Sequence, residues 1–218
     1  MPTPCRALGA ATLLASLVAP LAAQEAAEVC KSIGHVTVGQ WASYDATGSK
    51  GGGKVRFAIV GSERRGDTTL YWFEISGAGT GQSGVVQILV PGFDADVSGI
   101  RGMIVKTQGQ PAMRMPEQMA AMMGQQTGQN TPVLDIARRC GHAKVVGWET
   151  VKTPGGETRA LHLQDADGEA WLARDVPFGI VKASGKNGEL MLTGKGTDAK
   201  SSISEKPQEM PGMMLPKP

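Results

Sequence analysis

The segment Glu169-Ala-Trp-Leu-Ala-Arg-Asp-Val-Pro-Phe-Gly-Ile-Val-Lys182, continued through Leu190-Met-Leu192 to Gly196-Thr-Asp-Ala-Lys200, reads as three short strands joined by two turns. The strands fall at Ala170–Arg174, Phe178–Ala183 and Glu189–Thr193. Asp175-Val-Pro177 separates the first two, because Pro177 fixes its own φ and biases Val176 toward extended geometry. Lys186-Asn-Gly188 separates the second and third, with an Asn-Gly pair that favours a type I′ hairpin turn. A polar strand end bearing one Trp, then a turn, then apolar strands, is the pattern of a curved antiparallel sheet over an apolar interior.

The rest of the chain repeats this pattern. Upstream, His35–Tyr44, Lys54–Gly61, Thr69–Ile75, Val85–Val90 and, after the Pro91–Gly99 turn, Ile100–Thr107 read as strands. Val55, Phe57 and Ile59 alternate onto one face of the second run. Tyr71, Phe73 and Ile75 share one face of the third, with Leu70 and Trp72 on the other. The links Thr47-Gly-Ser-Lys-Gly-Gly-Gly53 and Ser76–Gly84 are hairpin material. Downstream, Lys144–Val151 and Thr158–Gln164, bounded by the turns Thr153-Pro-Gly-Gly156 and Asp165-Ala-Asp-Gly168, lead into the three strands of the opening segment.

Between these two sets of strands the period changes. Gln108–Gln126 carries Met113, Met115, Met119, Met122 and Met123, and Pro116-Glu117 suits a helix start. Met115, Met119 and Met122/Met123 are spaced as one face of a helix. Pro132–Arg139 predicts a second short helix, with Arg138-Arg139 in its last turn favouring the helix dipole. The layout therefore predicts a mainly β, α+β fold: a curved antiparallel sheet or half β-barrel of about ten strands, with the helical insert covering the open face. The methionines then either form an adaptable lid over a hydrophobic pocket or fill the core. Candidates for the pocket floor are Phe57, Ile59, Tyr71, Phe73, Ile88, Met103, Val105, Trp148 and Trp171.

The order Trp171-Leu-Ala-Arg-Asp-Val-Pro-Phe-Gly-Ile-Val-Lys-Ala-Ser-Gly185 followed by Gly188-Glu-Leu-Met-Leu-Thr-Gly194 resembles the C-terminal half of exported bacterial proteins related to the LolA/LolB lipoprotein-carrier superfamily. The resemblance is one of pattern over most of the chain and contains no catalytic signature. It implies the half-barrel with its cover. It also implies non-catalytic periplasmic binding or carriage of a lipid, lipoprotein acyl chain or other hydrophobe, and carries no individual residue role with it.

Composition bounds the partners. The 218 residues are 41% hydrophobic and 19% charged, enough for one domain with a sizeable core, and a formal net charge of +2 provides no footprint for nucleic acid. Thirty glycines against 5% aromatics favour many turns over a helical bundle. Met1–Ala23 reads as a secretory signal: Arg6 is its one charge, Ala7–Leu21 is apolar and too short for a comfortable membrane span, and Ala22-Ala23-Gln24 offers a cleavage point. Neither Cys5 nor Cys30 lies in a lipobox. The expected organisation is a signal over 1–23, a single domain over 24–200 and a flexible Pro/Met-rich tail over 201–218, in a soluble periplasmic or secreted protein. Removing the signal leaves Cys30 and Cys140, which an oxidising compartment favours as a disulfide.

Other chemistries find weaker support. Met113-Arg-Met115, Met119-Ala-Ala-Met-Met123 and Met210-Pro-Gly-Met-Met214 resemble thioether clusters for soft Cu(I), the alternative to a hydrophobe. Cys30, His35, Cys140 and His142 would suit zinc only as free thiols. Gly48-Ser-Lys-Gly-Gly-Gly-Lys54 matches the first part of a phosphate-binding loop, but Val55 replaces the Ser/Thr and a strand follows where a helix is required. Asp165–Gly168 lacks the remaining ligands of a calcium loop. No nucleophile elbow or zinc-protease motif occurs, so the sequence predicts no enzyme, no cofactor and no metal. A structural envelope protein without ligand is the remaining alternative.

Overall fold

The computed structural model describes residues 19–48, 51–79, 84–93, 100–122, 132–186 and 188–210. The strands form two antiparallel meanders. The first comprises β1 (Trp41–Thr47), β2 (Gly53–Arg65), β3 (Thr68–Gly79), β4 (Gly84–Val90), β5 (Gly102–Thr107) and β6 (Met113–Met115). The second comprises β7 (Lys144–Thr153), β8 (Gly156–Gln164), β9 (Gly168–Leu172), β10 (Ile180–Gly185) and β11 (Gly188–Gly196). β1 pairs with β11, which fuses the meanders into one open, curved sheet; with a last strand at Gln208–Glu209 (β12) its order is β12-β6-β5-β4-β3-β2-β1-β11-β10-β9-β8-β7. β12 joins the far edge in parallel with β6. Among the described residues, no helix is long and apolar enough to cross a membrane.

This order dictates where the insert goes. β6 lies near one edge and β7 is the other edge, so the chain between them must traverse the sheet. It does so through α2 (residues 117–122) and α3 (Pro132–Cys140), while α1 (Ala19–Ile33) precedes the central strand. Ala26, Val29 and Ile33 of α1, Ala120 of α2 and Val133, Leu134 and Ile136 of α3 are buried in one cluster with the inner-face side chains of the sheet. The apolar spacing of α1 is that of one helical stripe.

All ten expected strands occur, with shifted ends. The run beginning at His35 starts as strand only at Trp41, because residues 37–40 form a turn in which Gly39 has φ 96° and Gln40 N–H donates to the Thr37 carbonyl at 3.1 Å. The hairpin expected on Asn187-Gly188 closes with Gly185 paired to Gly188, so Gly188 already belongs to β11; Asn187 lies outside the described residues. Gly188 is required for a different reason: a Cβ there would sit 1.8 Å from the Thr47 carbonyl oxygen.

Two expectations need correction. Met113 and Met115 do not lie on a helix. They belong to β6, opposite Val105 and Met103. Pro116 explains the change, since the residue before a proline is driven to extended geometry and the helix can begin only after it. The flexible tail expected from Ser201 is also displaced. Residues 201–210 run across the outer face of the first meander as a strap, burying Ile203 against Leu70, Trp72, Leu89, Ile104 and Ala112. The strap ends in β12, where Gln208 N–H donates to the Ala112 carbonyl at 2.8 Å and Met210 N–H to Arg114 at 2.9 Å. Proline-rich composition concealed it, because a two-residue parallel strand has no readable period. Residues 211–218 lie outside the described residues.

Candidate functional site: the covered inner face

Alternation along β2–β5 sends Phe57, Ile59, Phe73, Ile88 and Met103 to the inner face, where each is at most 2% exposed. Cross-strand register lines up Ile59, Phe73, Ile88, Met103 and Met115 in a single row. Tyr71, Val105 and Met115 are partly buried against the same cluster. The expected floor on this half of the sheet is therefore one contiguous surface.

It is filled by the chain itself. The loop between β9 and β10 inserts Phe178, whose ring centroid lies 5.5 Å from Phe73, 5.7 Å from Phe93 and 6.2 Å from Phe57. Phe178 has φ 64°, a left-handed conformation that costs a non-glycine residue about 1–2 kcal/mol. Gly179 follows at φ 75°, and a Cβ there would stand 2.6 Å from Ile33 Cγ1. The glycine thus lets α1 settle on the loop, and the strained turn aims Phe178 inward. Edge-on and tilted ring contacts of this kind add about 0.5–1.5 kcal/mol per pair beyond burial. Tyr44, buried beside Phe57, donates its hydroxyl to the Ile180 carbonyl at 3.1 Å, and burial pushes its phenol far above the usual range.

The cover is bound to itself by a covalent bond and to the sheet by weaker ones. Cys30 of α1 and Cys140 of α3 form a disulfide, with Cα atoms 5.6 Å apart across 110 residues of sequence. With both thiols consumed, the zinc set Cys30, His35, Cys140 and His142 does not exist. Apolar contacts seat the cover, and polar latches ring it. Trp148 Nε1 donates to Glu25 at 2.8 Å and Arg174 to Glu28 at 2.5 Å, both joining α1 to the second meander. On α3, Arg139 Nε donates to Asp165 Oδ2 at 2.7 Å and Nη1 to Asp135 at 2.8 Å. The Arg139 guanidinium holds the Asp165 carboxyl below the usual carboxylate range, helped by backbone N–H groups of Asp167 and Gly168.

The remaining predicted site residues separate. Trp148 stands at the α1 latch. Trp171 alternates with the buried Leu172 and projects to the outer face, where His162 stacks on it at 4.3 Å and Lys182 Nζ lies 5.0 Å from its ring. Glu149 accepts from Trp171 Nε1 at 2.9 Å and meets His162 Nδ1 at 2.8 Å. Trp171 thus stands on the face opposite the Phe57–Met103 row, although, like Trp148, it is partly buried against the core cluster. Met119 is half-buried and Met122 is 74% exposed, so the helix presents Ala120 inward where a methionine face was expected; Met123 lies outside the described residues. The thioethers are divided between strand, helix and surface. Sequence reading missed Phe178 and Phe93 as plugging groups, although an aromatic between Pro177 and Gly179 was a visible signal.

Fold and site together define a class: an open curved sheet whose inner face is closed by its own helices and one inserted loop, an architecture of the binding-and-carrier kind. Among the described residues, no group of three or more His, Cys, Asp or Glu side chains is placed to hold a metal ion. No family model matches the chain, and no curated protein matches it in sequence. Among solved structures, a chain from Parabacteroides distasonis ATCC 8503 named as a "putative lipoprotein" is similar at 9% identity and a TM-score of 0.34, over 73% of this chain and 96% of that one. At that identity and score it says nothing of what this chain binds.

Proposed function

We propose that the protein is a non-catalytic binding or carrier protein of the bacterial envelope, and that its ligand is a lipid, lipoprotein acyl chain or similar hydrophobe. The ligand enters between the inner face of the sheet and the helical cover. The observation that carries this reading is the placement of the disulfide. Cys30–Cys140 joins one cover helix to the other and neither to the sheet. A pair of helices stapled in this way can lift as a unit without a covalent bond being broken. Lifting would uncover the buried Val29, Ile33, Val133 and Leu134, at about 1.5–3 kcal/mol per side chain, which an entering acyl chain covers again; the polar latches add less, exposed pairs contributing about 0–1 kcal/mol each. Phe178 then occupies the place an acyl chain would take, held in a backbone conformation that leaving would relax. An envelope location is supported by the apolar segment ahead of residue 24 and by the disulfide. The packed residues of α1, from Ala26 to Ile33, all follow the expected cleavage point.

Hydrogen exchange with and without a detergent-free lipid extract tests the proposal. Bound acyl chains should change exchange in α1, α3 and residues 173–179 while β2 and β3 keep theirs, and native mass spectrometry should find the retained lipid. Unchanged exchange together with ligand-free protein from envelope extracts would eliminate the carrier reading.

A further inference from the structure

The outer face carries a second concavity, independent of the covered side. Ser43, Arg56, Ser76, Val85 and Lys106 stand side by side across β1–β5. The long side chains of Arg56 and Lys106 flank the shorter Ser76 and Val85, so the surface sinks between them into a groove of about 450 Å³. Volumes of this order hold small molecules, within the usual range of about 300–1,000 Å³. The strap crosses the adjacent row, over Glu74, Gln87 and Ile104, and Ser202 forms a wall of the groove.

That wall is fixed. Glu74 is fully buried and accepts from Ser202 Oγ at 2.6 Å, Ser202 N–H at 3.0 Å and Gln87 Nε2 at 2.8 Å. A buried carboxylate with three donors anchors the strap far more firmly than a surface contact.

The charged residues lining the groove are all cations, with Asp198 near Arg56 outside it. Lys54, Arg56 and Lys106 all line it. Lys106 pairs with Glu205 of the strap. Among the described residues, neither Lys54 nor Arg56 takes part in a salt bridge within 4.0 Å. The Arg56 guanidinium lies 5.0 Å over the Trp41 ring, which orients its planar fork without consuming its N–H groups. Between the cations the lining is Val85, the small side chains of Ser43 and Ser76, and the bare backbone of Gly77 and Gly84.

We propose that this groove binds a small anionic amphiphile, with a carboxylate or phosphate head held by Lys54 and Arg56 and a short apolar body lying across Val85 and the glycine backbone. The cations supply charge-assisted hydrogen bonds to the head. The apolar floor distinguishes such a ligand from a bare anion.

Calorimetric titration of the full chain with dodecyl phosphate below its micelle concentration tests this, with inorganic phosphate and dodecyl maltoside as comparison probes. Saturable binding of dodecyl phosphate is expected, weakened about tenfold or more in Lys54→Gln/Arg56→Gln, since two charge-assisted contacts are lost. Ser76→Phe should block it by filling the floor at a strand position that accepts an aromatic. Ser43→Leu is a second obstruction should Ser76→Phe fail to fold. Lys152→Gln on β7 should bind as the parent does. Displacement by inorganic phosphate at equal concentration would overturn the amphiphile in favour of a free anion. Equal affinity for the maltoside would overturn recognition of charge. Unaltered binding in the variants, or no saturation, would overturn the site itself. Uptake of the dodecyl chain beneath the cover would change exchange in α1 and α3 and survive Lys54→Gln/Arg56→Gln, whereas occupation of the groove is lost in that variant, so the two sites are read separately.

Discussion

Phe178 and Gly179 concentrate the molecule's local strain in two residues. One holds a left-handed conformation that only glycine adopts freely, and the other supports α1 at a distance no side chain tolerates. Gly179→Ala should therefore destabilise the domain by about 1–3 kcal/mol, with the loss concentrated in α1, as denaturant melts and exchange at Val29–Ile33 would report. Phe178→Ala should cost about 3–5 kcal/mol if the ring only fills the core. If it holds the place of a ligand, the same variant should bind acyl chains more tightly than the parent. At this scale the sequence reading was uneven. Period-two alternation identified Phe57, Ile59, Phe73 and Ile88, because a strand's two faces follow from its pleat. It could not identify Phe178 or the outward turn of Trp171, since each depends on a loop conformation or register set by distant strands.

Elements show the same division between local and distant causes. The β-strands were readable because glycine-rich turns and alternation are local signals. The Met-rich segment was half read: a helix does begin after Pro116, as Pro116-Glu117 indicated, but Met113 and Met115 precede it, where β5 offers them a strand to pair with. The strap was unreadable because its anchor is a glutamate more than a hundred residues away. Ending the chain at Lys200 should leave Glu74 without Ser202 and expose Leu70, Trp72 and Ile104. Burial of Ile203 contributes about 2–3 kcal/mol and the lost hydrogen bonds about 1–3 more, so thermal melts should fall by several degrees at about 2–4 °C per kcal/mol. The two cover helices invite a complementary measurement. Reducing Cys30–Cys140, or replacing both with serine, should raise exchange across α1 and α3 before it affects β2 or β3. Chain entropy allows up to about 4–5 kcal/mol for a loop of this length. Uniform loosening of the sheet at the same rate would mean that the helices are not a separable unit.

At the scale of the whole molecule, acid reaches the cover through the Asp165–Arg139 latch at its margin. Asp165 has a depressed carboxyl pKa in the folded protein, so its contribution is complete above the ordinary unfolded value of about 3.9. That contribution disappears as the pH falls from there through the folded value. Exchange at α3 should rise over that interval, and Arg139→Gln should remove most of the response while leaving the strap unaffected. The general architecture was present in the sequence as ten strands divided by an insert. Its closure was not, since only the β6-to-β7 traverse and the β1–β11 pairing convert two meanders into one covered sheet. That pairing also sets a schedule. A chain emerging from its amino end completes β1–β6 while β1, at the middle of the final sheet, still has one bare flank. The flank stays bare until Gly188–Gly196 has been made. For that interval the nascent protein presents Trp41–Thr47 as an open template to any other strand, its own copies included. A chain released after residue 186 should accordingly self-associate through β1, and a synthetic peptide of residues 188–196 added in excess should keep it apart.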